Sequence, residues 1–479
     1  MALTTLKLGP FMGVQPEYEG ENSLQWAKEA WNVDTEDGQL KRAGGFSQVF
    51  RNPLSGTQTL FRLHLWPRET GNPGCIVLRR DGIWRYKEAQ EVWSGIWGFG
   101  TPAEDGSRFD FLPVKIGEQE QLLIASGKYP IRCWQEDADD VTVFGSEEKQ
   151  SQAPVNYLAL YFGRLFSAGE KAHPARLYWS QAPGDGRSLD NWGTAEEGAD
   201  VSGGYMEVGT DSSPITGLKA MSNQLVILKR DRLYRLLGDR PSNFRIQPVD
   251  GPLCEPRHTA CLAYGDRLFF LTETGLYFYD GQTLRRPPHG GDLNRLLKKA
   301  DLRNCMSAVC GTKLYFTLKL SAQSAYEDAI AVYDIERDCF LLLRGFSVVD
   351  LYSCRGKLYL LTGAGALCIF DQSGTYNGAN IEAVWKTPWT AAGSLYEEKR
   401  LMDLTAAGWG EGALDVEAGW ESGSCFSTLP LASWGQLGVA RLQGGGRRIQ
   451  LTLKNIQGKD FCLLGGMELL MDRQKHIPG

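Results

Sequence analysis

The side chains that could do chemistry in this sequence are few, and two acidic clusters come first. One contains Glu104 and Asp105, and the other contains Glu136, Asp139 and Asp140. Two carboxylates can hydrolyse a glycosidic bond when they flank it at about 5–10 Å and one acts as the general acid. A sequence sets no such distance, and runs of acidic residues are mostly solvated. We therefore interpret both clusters as exposed acidic loops.

No other pattern favours a metal or cofactor site. The segment DTEDG, Asp34 to Gly38, resembles part of a calcium-binding loop but lacks the third oxygen ligand and the Glu at loop position 12. Asp and Gly favour turns, so we interpret the segment as a turn. The five histidines are scattered, and the sequence contains no phosphate-binding, dinucleotide-binding or hydrolase motif. We expect no metal, no cofactor and no catalytic residue, and so a protein that is not an enzyme.

The composition favours an all-β protein without a dedicated nucleic-acid-binding domain. Among 479 residues there are 56 Gly, 14 Trp, 18 Tyr and 20 Phe, and glycine turns with aromatic strands are typical of β-sheets. The net charge of −6 comes from 51 basic and 57 acidic side chains, whereas a nucleic-acid-binding domain normally has a basic excess. No apolar run reaches the roughly 20 residues that span a bilayer, so we expect no membrane segment.

A two-strand motif recurs along most of the chain. Its clearest copy is GDRLFFLTETGLYFYDG, Gly265 to Gly281. When the copies are aligned on the Leu of the first strand, they are separated by 44, 43, 60, 43, 46 and 44 residues. The aligned residues are Leu78, Leu122, Leu165, Leu225, Leu268, Leu314 and Leu358. A period near 44 with two to four short strands per unit is typical of a propeller blade, so the sequence predicts a β-propeller of about six to seven blades.

The period divides the chain into three predicted regions. Residues 1–60 form an N-terminal arm with the first propeller strands, residues 61–373 form the propeller, and residues 374–479 form a C-terminal β-sandwich-like domain, where strand-like runs continue without the period. The single long step indicates an insertion around residues 172–212. Such loops lie on the surface and often carry binding residues. The candidate interaction residues of this loop are Trp179, Asp185, Arg187 and Trp192.

Basic residues occupy equivalent positions in four copies of the repeat. They are Arg164, Arg267, Lys313 and Lys357. Charged residues commonly mark turns and protect strand edges, and this is the preferred interpretation. The alternative is a ring of positive charge that contacts DNA or a partner.

Three segments of the chain resemble the tail nozzle, or tail tubular protein B-type, family of tailed bacteriophages, which includes packaged-DNA stabilisation proteins. The first is NVDTEDGQLKRAGGF, Asn32 to Phe46. The second is ARLYWSQAPGDGRSLDNW, Ala175 to Trp192. The third is the pair KRLMDLTAAGWGEGALDVEAGW and GGGRRIQLTLKNIQGKDFCLLGGMELLM near the C-terminus. The resemblance follows the whole chain in order.

The resemblance implies a structural virion protein without catalysis. Six copies would form a ring at the connector or tail, in contact with adaptor, portal or other tail proteins. The ring would close the passage on the packaged genome and then conduct it during ejection, with transient, non-specific contact to double-stranded DNA. The protein would be made in the cytoplasm of the bacterial host and then reside in the virion.

Two other functions remain open at this point. A propeller could bind host-surface glycans, with Trp179 and Trp192 stacking on sugar rings. It could also be a propeller glycoside hydrolase that uses the acidic clusters. Loss of glycan binding in a Trp192→Ala variant would favour the first function, and loss of turnover on changing one Asp or Glu would favour the second.

Overall fold

The chain folds almost entirely into antiparallel β-strands, which form a β-propeller and a two-sheet sandwich. The computed structural model describes residues 2–16, 24–56, 58–104, 109–145, 153–184, 187–251, 255–321, 326–371, 373–431 and 436–475. Helical segments in these ranges are short: Asn294–Leu297 is an α-helix, and the 3-10 segments are Glu36–Gly38, Glu88–Gln90, Pro241–Asn243 and His258–Ala260. In this part of the chain no helix has the length and apolarity to cross a bilayer. The predicted fold class is confirmed.

Seven sheets follow one another along the chain as blades 1 to 7. Blade 1 consists of Leu60–Trp66, Gly74–Arg79, Gly82–Lys87 and Val92–Gly98. Blade 2 consists of Asp110–Ile116, Gln119–Ala125, Arg132–Trp134 and Thr142–Val143. Blade 3 consists of Tyr157–Tyr161, Arg164–Ala168, Arg176–Trp179 and Gly204–Glu207. Blades 4 and 5 consist of Ile215–Met221, Gln224–Lys229, Leu233–Leu237 and Arg245–Val249; and Cys261–Tyr264, Arg267–Thr272, Gly275–Tyr279 and Leu284–Arg285. In each of these sheets the strand order is the chain order.

Blades 6 and 7 depart from the simple four-strand pattern. Blade 6 contains Ala300–Asp301 and Ser307–Cys310, which both pair with Lys313–Ser321, followed by Tyr326–Asp334 and Cys339–Arg344. Blade 7 contains Asp350–Cys354, Lys357–Leu361 and Leu367–Phe370, then the N-terminal strand Phe46–Gln48, and finally Thr375–Tyr376 and Ala379–Asn380. A strand from the start of the chain therefore completes the last blade and closes the ring.

The burial of the repeated Leu explains why the period near 44 residues is visible in the sequence. Each of the seven aligned leucines lies in the second strand of its blade, and all are 0–3% exposed. A second strand is flanked by strands on both sides and by neighbouring blades on both faces, so its positions favour large apolar residues. Separate apolar clusters fill the spaces between successive blades, including the space between blade 7 and blade 1, where Leu361 and Leu63 belong to one cluster. Burial therefore continues around the whole ring.

The sandwich combines strands from both ends of the chain. One sheet consists of Val33–Asp34, Leu40–Arg42, Phe461–Lys475, Glu397–Gly410 and Gln436–Arg441, with Ala2–Leu8 and Gly445–Gly446 paired at its side. The other consists of Glu29–Trp31, Ala383–Lys386, Ile449–Asn455, Ala413–Trp420 and Gly423–Pro430. Residues 2–16 and 24–48, which we call the strap, thus supply strands to the sandwich first and to blade 7 afterwards. The predicted division at residues 60 and 373 stays a prediction.

Asn32 joins the strap to both domains. Its Nδ2 donates hydrogen bonds to the carbonyls of Arg344 in blade 6 (3.0 Å) and Glu382 beside the sandwich (2.8 Å). Its Oδ1 accepts from the backbone N–H of Arg344 (2.8 Å) and from the hydroxyl of Tyr376 in blade 7 (3.0 Å). The residue is buried and has a φ of 56°, a backbone conformation that Asn tolerates better than most residues.

Lys399 is a fully buried cation in the sandwich. Its Nζ donates to the backbone carbonyls of Ser394, Glu397 (2.8 Å) and Arg447 (2.9 Å). Three acceptors match the three donors of an ammonium group. The side chain therefore fixes the segment before its strand to the segment that precedes Ile449–Asn455.

Candidate functional site: the axial cavity

A cavity of about 630 Å³ lies on the propeller axis, at the end where the first strand of each blade begins. The first strands of most neighbouring blades lie side by side around the axis, and residues at or just before the starts of blades 1, 2, 3, 5, 6 and 7 line this space. We call it the axial cavity. Two shallower depressions, of about 790 and 330 Å³, adjoin it and share Arg257 with it. The axial cavity is therefore open to the surface on this end of the propeller.

A carboxylate and an imidazole meet in the wall of the axial cavity. His258 Nε2 lies 3.0 Å from Asp110 Oδ1, and Asp110 Oδ2 accepts the backbone N–H of Leu158 at 2.9 Å. His258 Nδ1 accepts the N–H of Leu218 at 3.3 Å. These partners assign the Nε2–H tautomer of a neutral imidazole. The contacts connect blade 2 with blade 3 and the start of blade 5 with blade 4.

The pKa shifts of His258 and Asp110 agree with a neutral imidazole that donates to a carboxylate. Burial lowers the pKa of His258 below its ordinary value, and the positive charges of Lys219 and Arg62 add to this effect against the attraction of Asp110. Burial opposes ionisation of Asp110, but the contact with His258 and the charges of Lys219 and Arg62 outweigh it and lower the pKa of this carboxyl. Asp110 is therefore an anion and His258 is neutral at pH 7.

Arg62 and Asp350 form a second buried contact, between blades 1 and 7. Asp350 Oδ2 accepts the N–H of Leu63 at 2.7 Å and lies 3.5 Å from Arg62 Nε. Arg62 Nη1 also donates to the carbonyl of Phe109 at 2.8 Å, which reaches the start of blade 2. Burial raises the pKa of Asp350 to about 6, against the opposing effects of Arg62 and the backbone N–H groups.

Positive side chains dominate the lining of the axial cavity. Four cations and one carboxylate, Asp110, contribute to its wall; the cations are Arg62, Arg257, Arg303 and Lys319. Each cation contacts a carboxylate that is not part of the lining: Asp350, Glu255 (3.1 Å), Asp301 (2.6 Å) and Asp328, respectively. These four carboxylates are therefore outside the lining of the axial cavity, and two of them, Glu255 and Asp301, line the adjoining depressions.

The predicted interaction loop is mostly folded back on blade 3. Trp179 is 7% exposed and its Nε1 donates to the carbonyl of Ser202 at 3.3 Å. Trp192 is half-buried, and Arg187 pairs with Glu197. Asp185 lies outside the described residues. Trp179 therefore offers no exposed ring to a sugar, which removes it from the proposed stacking contact, while the interaction role of the other loop residues stays a prediction.

The predicted basic ring has equivalent backbone positions but different environments. Arg164, Arg267, Lys313 and Lys357 each begin the second strand of a blade, at the end of the propeller opposite the axial cavity. Arg164 is 1% exposed and donates to the carbonyls of Ser180 (2.8 Å), Ser202 (3.0 Å) and Asp200. It holds the insertion in place and has no exposed group for DNA. A contact role for the other three stays a prediction.

The acidic cluster of Glu136, Asp139 and Asp140 makes local ion pairs. Arg68 Nε lies 2.7 Å from Glu136, and Lys87 Nζ lies 2.7 Å from Asp139, so this cluster ties blade 2 to blade 1. Asp105 lies outside the described residues. The DTEDG segment contains the 3-10 turn Glu36–Gly38, as its turn interpretation predicted. In the described ranges no group of three or more His, Cys, Asp and Glu side chains is arranged to hold a metal.

The residues of the axial cavity were not identified from sequence. Arg62 and Asp110 of the lining, and Asp350 beside Arg62, each interrupt an apolar strand run, and this is the one local signal that marks them. Their distances from the repeated Leu of the same blade differ, being 16, 12 and 8 residues. Because the spacing is irregular, the alignment of repeats does not bring these residues to one position.

Comparisons with known proteins give structural similarity only. No protein-family model and no curated protein sequence matches the chain. An extracellular domain of a two-component system from B. thetaiotaomicron is similar over 68% of this chain and 39% of that one, with 14% identity and a TM-score of 0.42. PorZ, a surface component of the type-IX secretion system of Porphyromonas gingivalis, is similar over 70% and 42%, with 12% identity and a TM-score of 0.37.

A smaller protein gives a comparable result. YCF48 from Cyanidioschyzon merolae is similar over 68% of this chain and 98% of that one, with 12% identity and a TM-score of 0.39. The chain spans about two fifths of the length of the first two structures. The assignment of the propeller and the sandwich accordingly rests on the strand pairing itself.

Proposed function

We propose that this protein is a structural virion component of a tailed bacteriophage or prophage that assembles with copies of itself into a ring at the connector or tail. The ring would close on the packaged genome and conduct it during ejection, without catalysis. The resemblance of three segments to tail nozzle proteins motivates the proposal. The observation that carries it is the distribution of exposed apolar side chains.

Exposed apolar side chains are concentrated on the strap and the sandwich. Among the described residues, thirteen large apolar side chains are exposed, and nine belong to this part of the molecule: Leu3, Trp389, Leu395, Tyr396, Met402, Phe426, Leu437, Val439 and Ile456. Apolar patches on a protein surface mark contacts with other proteins. The sandwich therefore offers a surface for contact between copies.

Leu437 and Val439 are the best-defined part of this surface. They are 68% and 43% exposed and lie two residues apart on one strand, so they project from the same face. Their cross-strand neighbours are Ala407 and Thr405, which are small and leave both side chains accessible. This strand is the last in its sheet, and edge strands can pair with a second chain.

The remaining parts of the proposal follow from the proposed location. The ring would be a homo-hexamer in contact with adaptor, portal or other tail proteins, in a virion assembled in the cytoplasm of the host. Contact with double-stranded DNA would be transient, because each phosphate neutralised by a basic group adds affinity and slows movement. The net charge of −6 is compatible with a passage that does not retain DNA.

The test is the size and shape of the purified full-length chain. Light scattering and negative-stain imaging of the wild type should give ring-shaped oligomers. Val439→Asp should weaken the assembly, because it places a charge in the apolar contact. Val143→Asp is the matched control, since Val143 is 46% exposed on the outer strand of blade 2, and it should leave the assembly unchanged.

Two results would contradict the proposal or part of it. A wild type that remains monomeric at high protein concentration, together with its absence from virions by mass spectrometry, would overturn the proposal. Equal effects of the two aspartate variants would show that the contact does not lie on the sandwich.

A further inference from the structure

We propose that the axial cavity binds a small organic anion, with its carboxylate or phosphate group held by Arg62 and Arg257. This inference does not depend on the ring assembly, because the cavity lies on the propeller axis and its lining comes from a single chain.

The arrangement of charge favours an anion over a neutral or cationic ligand. A ligand in the cavity meets the four lining cations first, since their carboxylate partners do not line the cavity. A guanidinium has five N–H donors and a carboxylate engages at most two of them. Arg62 directs Nη1 at the carbonyl of Phe109 and Nε at Asp350, which leaves its Nη2 donors for a ligand. An anion would supply an acceptor for the donors that remain.

The one carboxylate in the lining is already engaged. Both oxygens of Asp110 take part in hydrogen bonds, one with the N–H of Leu158 and one with His258 Nε2. These two hydrogen bonds stabilise the Asp110 carboxylate, and its single negative charge faces the four lining cations. Asp110 consequently opposes an anion less than an unpaired carboxylate would.

The rest of the lining favours an organic ligand that is larger than an inorganic ion. Phe61, Phe109 and Tyr157 supply aromatic surface, and Gln58 and Asn304 supply amides. The volume of about 630 Å³ falls within the range of roughly 300–1,000 Å³ typical of small-molecule sites. Sugar acids and sugar phosphates combine an anionic group with a ring that offers both an apolar face and hydroxyls.

Arg257 is the residue on which the test depends. It lines the axial cavity and both adjoining depressions, so a ligand entering from either side passes it. Its side chain is 18% exposed. Arg267 provides a matched control because it is an exposed Arg at the other end of the propeller, stacked on Phe278.

The experiment is titration calorimetry on the full chain with four probes: D-glucuronate, D-glucose 6-phosphate, inorganic phosphate and neutral D-glucose. At least one sugar anion should bind the wild type about tenfold or more tightly than glucose does, as expected for one charge-assisted hydrogen bond. Tighter binding of glucuronate or of glucose 6-phosphate distinguishes a carboxylate from a phosphate ligand. Inorganic phosphate should bind more weakly than the preferred sugar anion because it lacks the ring.

Two variants complete the test. Arg257→Gln should weaken binding of the preferred anion about tenfold or more, and Arg267→Gln should bind like the wild type. Should Arg257→Gln melt at a lower temperature than Arg267→Gln, Lys319→Gln serves as the second cavity variant and should also weaken the anion. Equal affinity for glucose and for all three anions, or unchanged affinity in correctly folded cavity variants, would overturn the proposal. Neither result bears on the assembly of rings, which is measured separately.

Discussion

Replacing Asn32 with alanine should destabilise the protein by about 5 kcal/mol. The substitution removes four hydrogen bonds between the strap, blades 6 and 7 and the chain before the sandwich strand Ala383–Lys386. Each contributes about 1 kcal/mol, and a buried partner left without a bond costs at least as much. The φ of 56° adds roughly 1 kcal/mol, because a left-handed backbone is unfavourable for alanine. This loss is comparable with the whole stability of many domains.

Two further variants separate the two contributions. Asn32→Gly loses the same hydrogen bonds but accepts the left-handed backbone, so it should be about 1 kcal/mol more stable than Asn32→Ala. Asn377→Ala is the matched control, because Asn377 has a φ of 49° and is exposed. It should lose only the backbone contribution, about 1 kcal/mol.

The measurement is urea unfolding followed by tryptophan fluorescence and circular dichroism, with hydrogen exchange to locate the change. Protection should fall in the strap strand Glu29–Trp31 and in the outer strands of blades 6 and 7, which Asn32 connects. If Asn32→Ala and Asn377→Ala lose the same stability, the reasoning is wrong: the four hydrogen bonds would then contribute nothing measurable.

Three more predictions concern buried groups. Lys399→Met should cost about 3 kcal/mol or more in urea unfolding, because it removes three hydrogen bonds that a fully buried ammonium group donates, whereas Lys454→Met removes a half-exposed ion pair and should cost less than about 1 kcal/mol. Between about pH 4 and pH 6 the native state holds a proton on Asp350 that the unfolded chain releases, so the contribution of Asp350 to stability should fall as pH rises. Burial lowers the pKa of His64 to about 3 and also lowers the pKa of His258, so these two imidazoles contribute a rise in the same window. Asp350→Asn removes only the falling contribution, and its stability should therefore rise more steeply with pH than that of the wild type. Leu268→Ala should cost about 2–5 kcal/mol in the same assay, and exposed Leu395→Ala should change little.

The propeller was predictable because burial repeats at a fixed position of each blade. Leu268 and its six equivalents are enclosed on all sides, so the same residue type recurs wherever the same strand recurs. Turn glycines add to the signal. Gly163 and Gly356 have positive φ values of 71°, which hairpin turns of this kind require. The buried Leu and the turn Gly are both set by contacts within or next to one blade, so they recur with each blade and give a period of about 44 residues.

The strap was not predictable, because its partners are far away in sequence. Phe46–Gln48 pairs with Leu367–Phe370, and Ala2–Leu8 pairs with the last strand of the sandwich. Neither segment has a composition that distinguishes a strand of the propeller from a strand of the sandwich. The role of Asn32 was likewise not predictable, since its four hydrogen bonds are to three residues that lie more than 300 positions away along the chain.

The interaction loop shows that a surface loop need not expose its aromatic rings. Many residues of the insertion are exposed, as its Gly and Asp content predicted, but its glycines allow the chain to fold closely over the ring of Trp179. A Cβ at Gly204 would lie 2.7 Å from the ring of Trp179, and one at Gly203 would lie 2.4 Å from the carbonyl of Trp192. The glycines thus help to bury Trp179. The axial cavity, at the other end of the propeller, has accessible charged and aromatic groups and is the better candidate site.

The strap also provides the connection through which mechanical force would pass between the sandwich and the propeller. Its strands are hydrogen-bonded into the sandwich and then into blade 7, and the chain continues directly into blade 1. Separating the sandwich from the propeller therefore requires breaking several backbone hydrogen bonds together, including the one from the N–H of Asn32 to the carbonyl of Leu342 in blade 6. A flexible linker would separate without such a cost. If copies meet through their sandwiches, as proposed, load on the ring reaches each propeller through paired strands, and Asn32→Ala should weaken that connection while leaving the sandwich surface around Val439 intact.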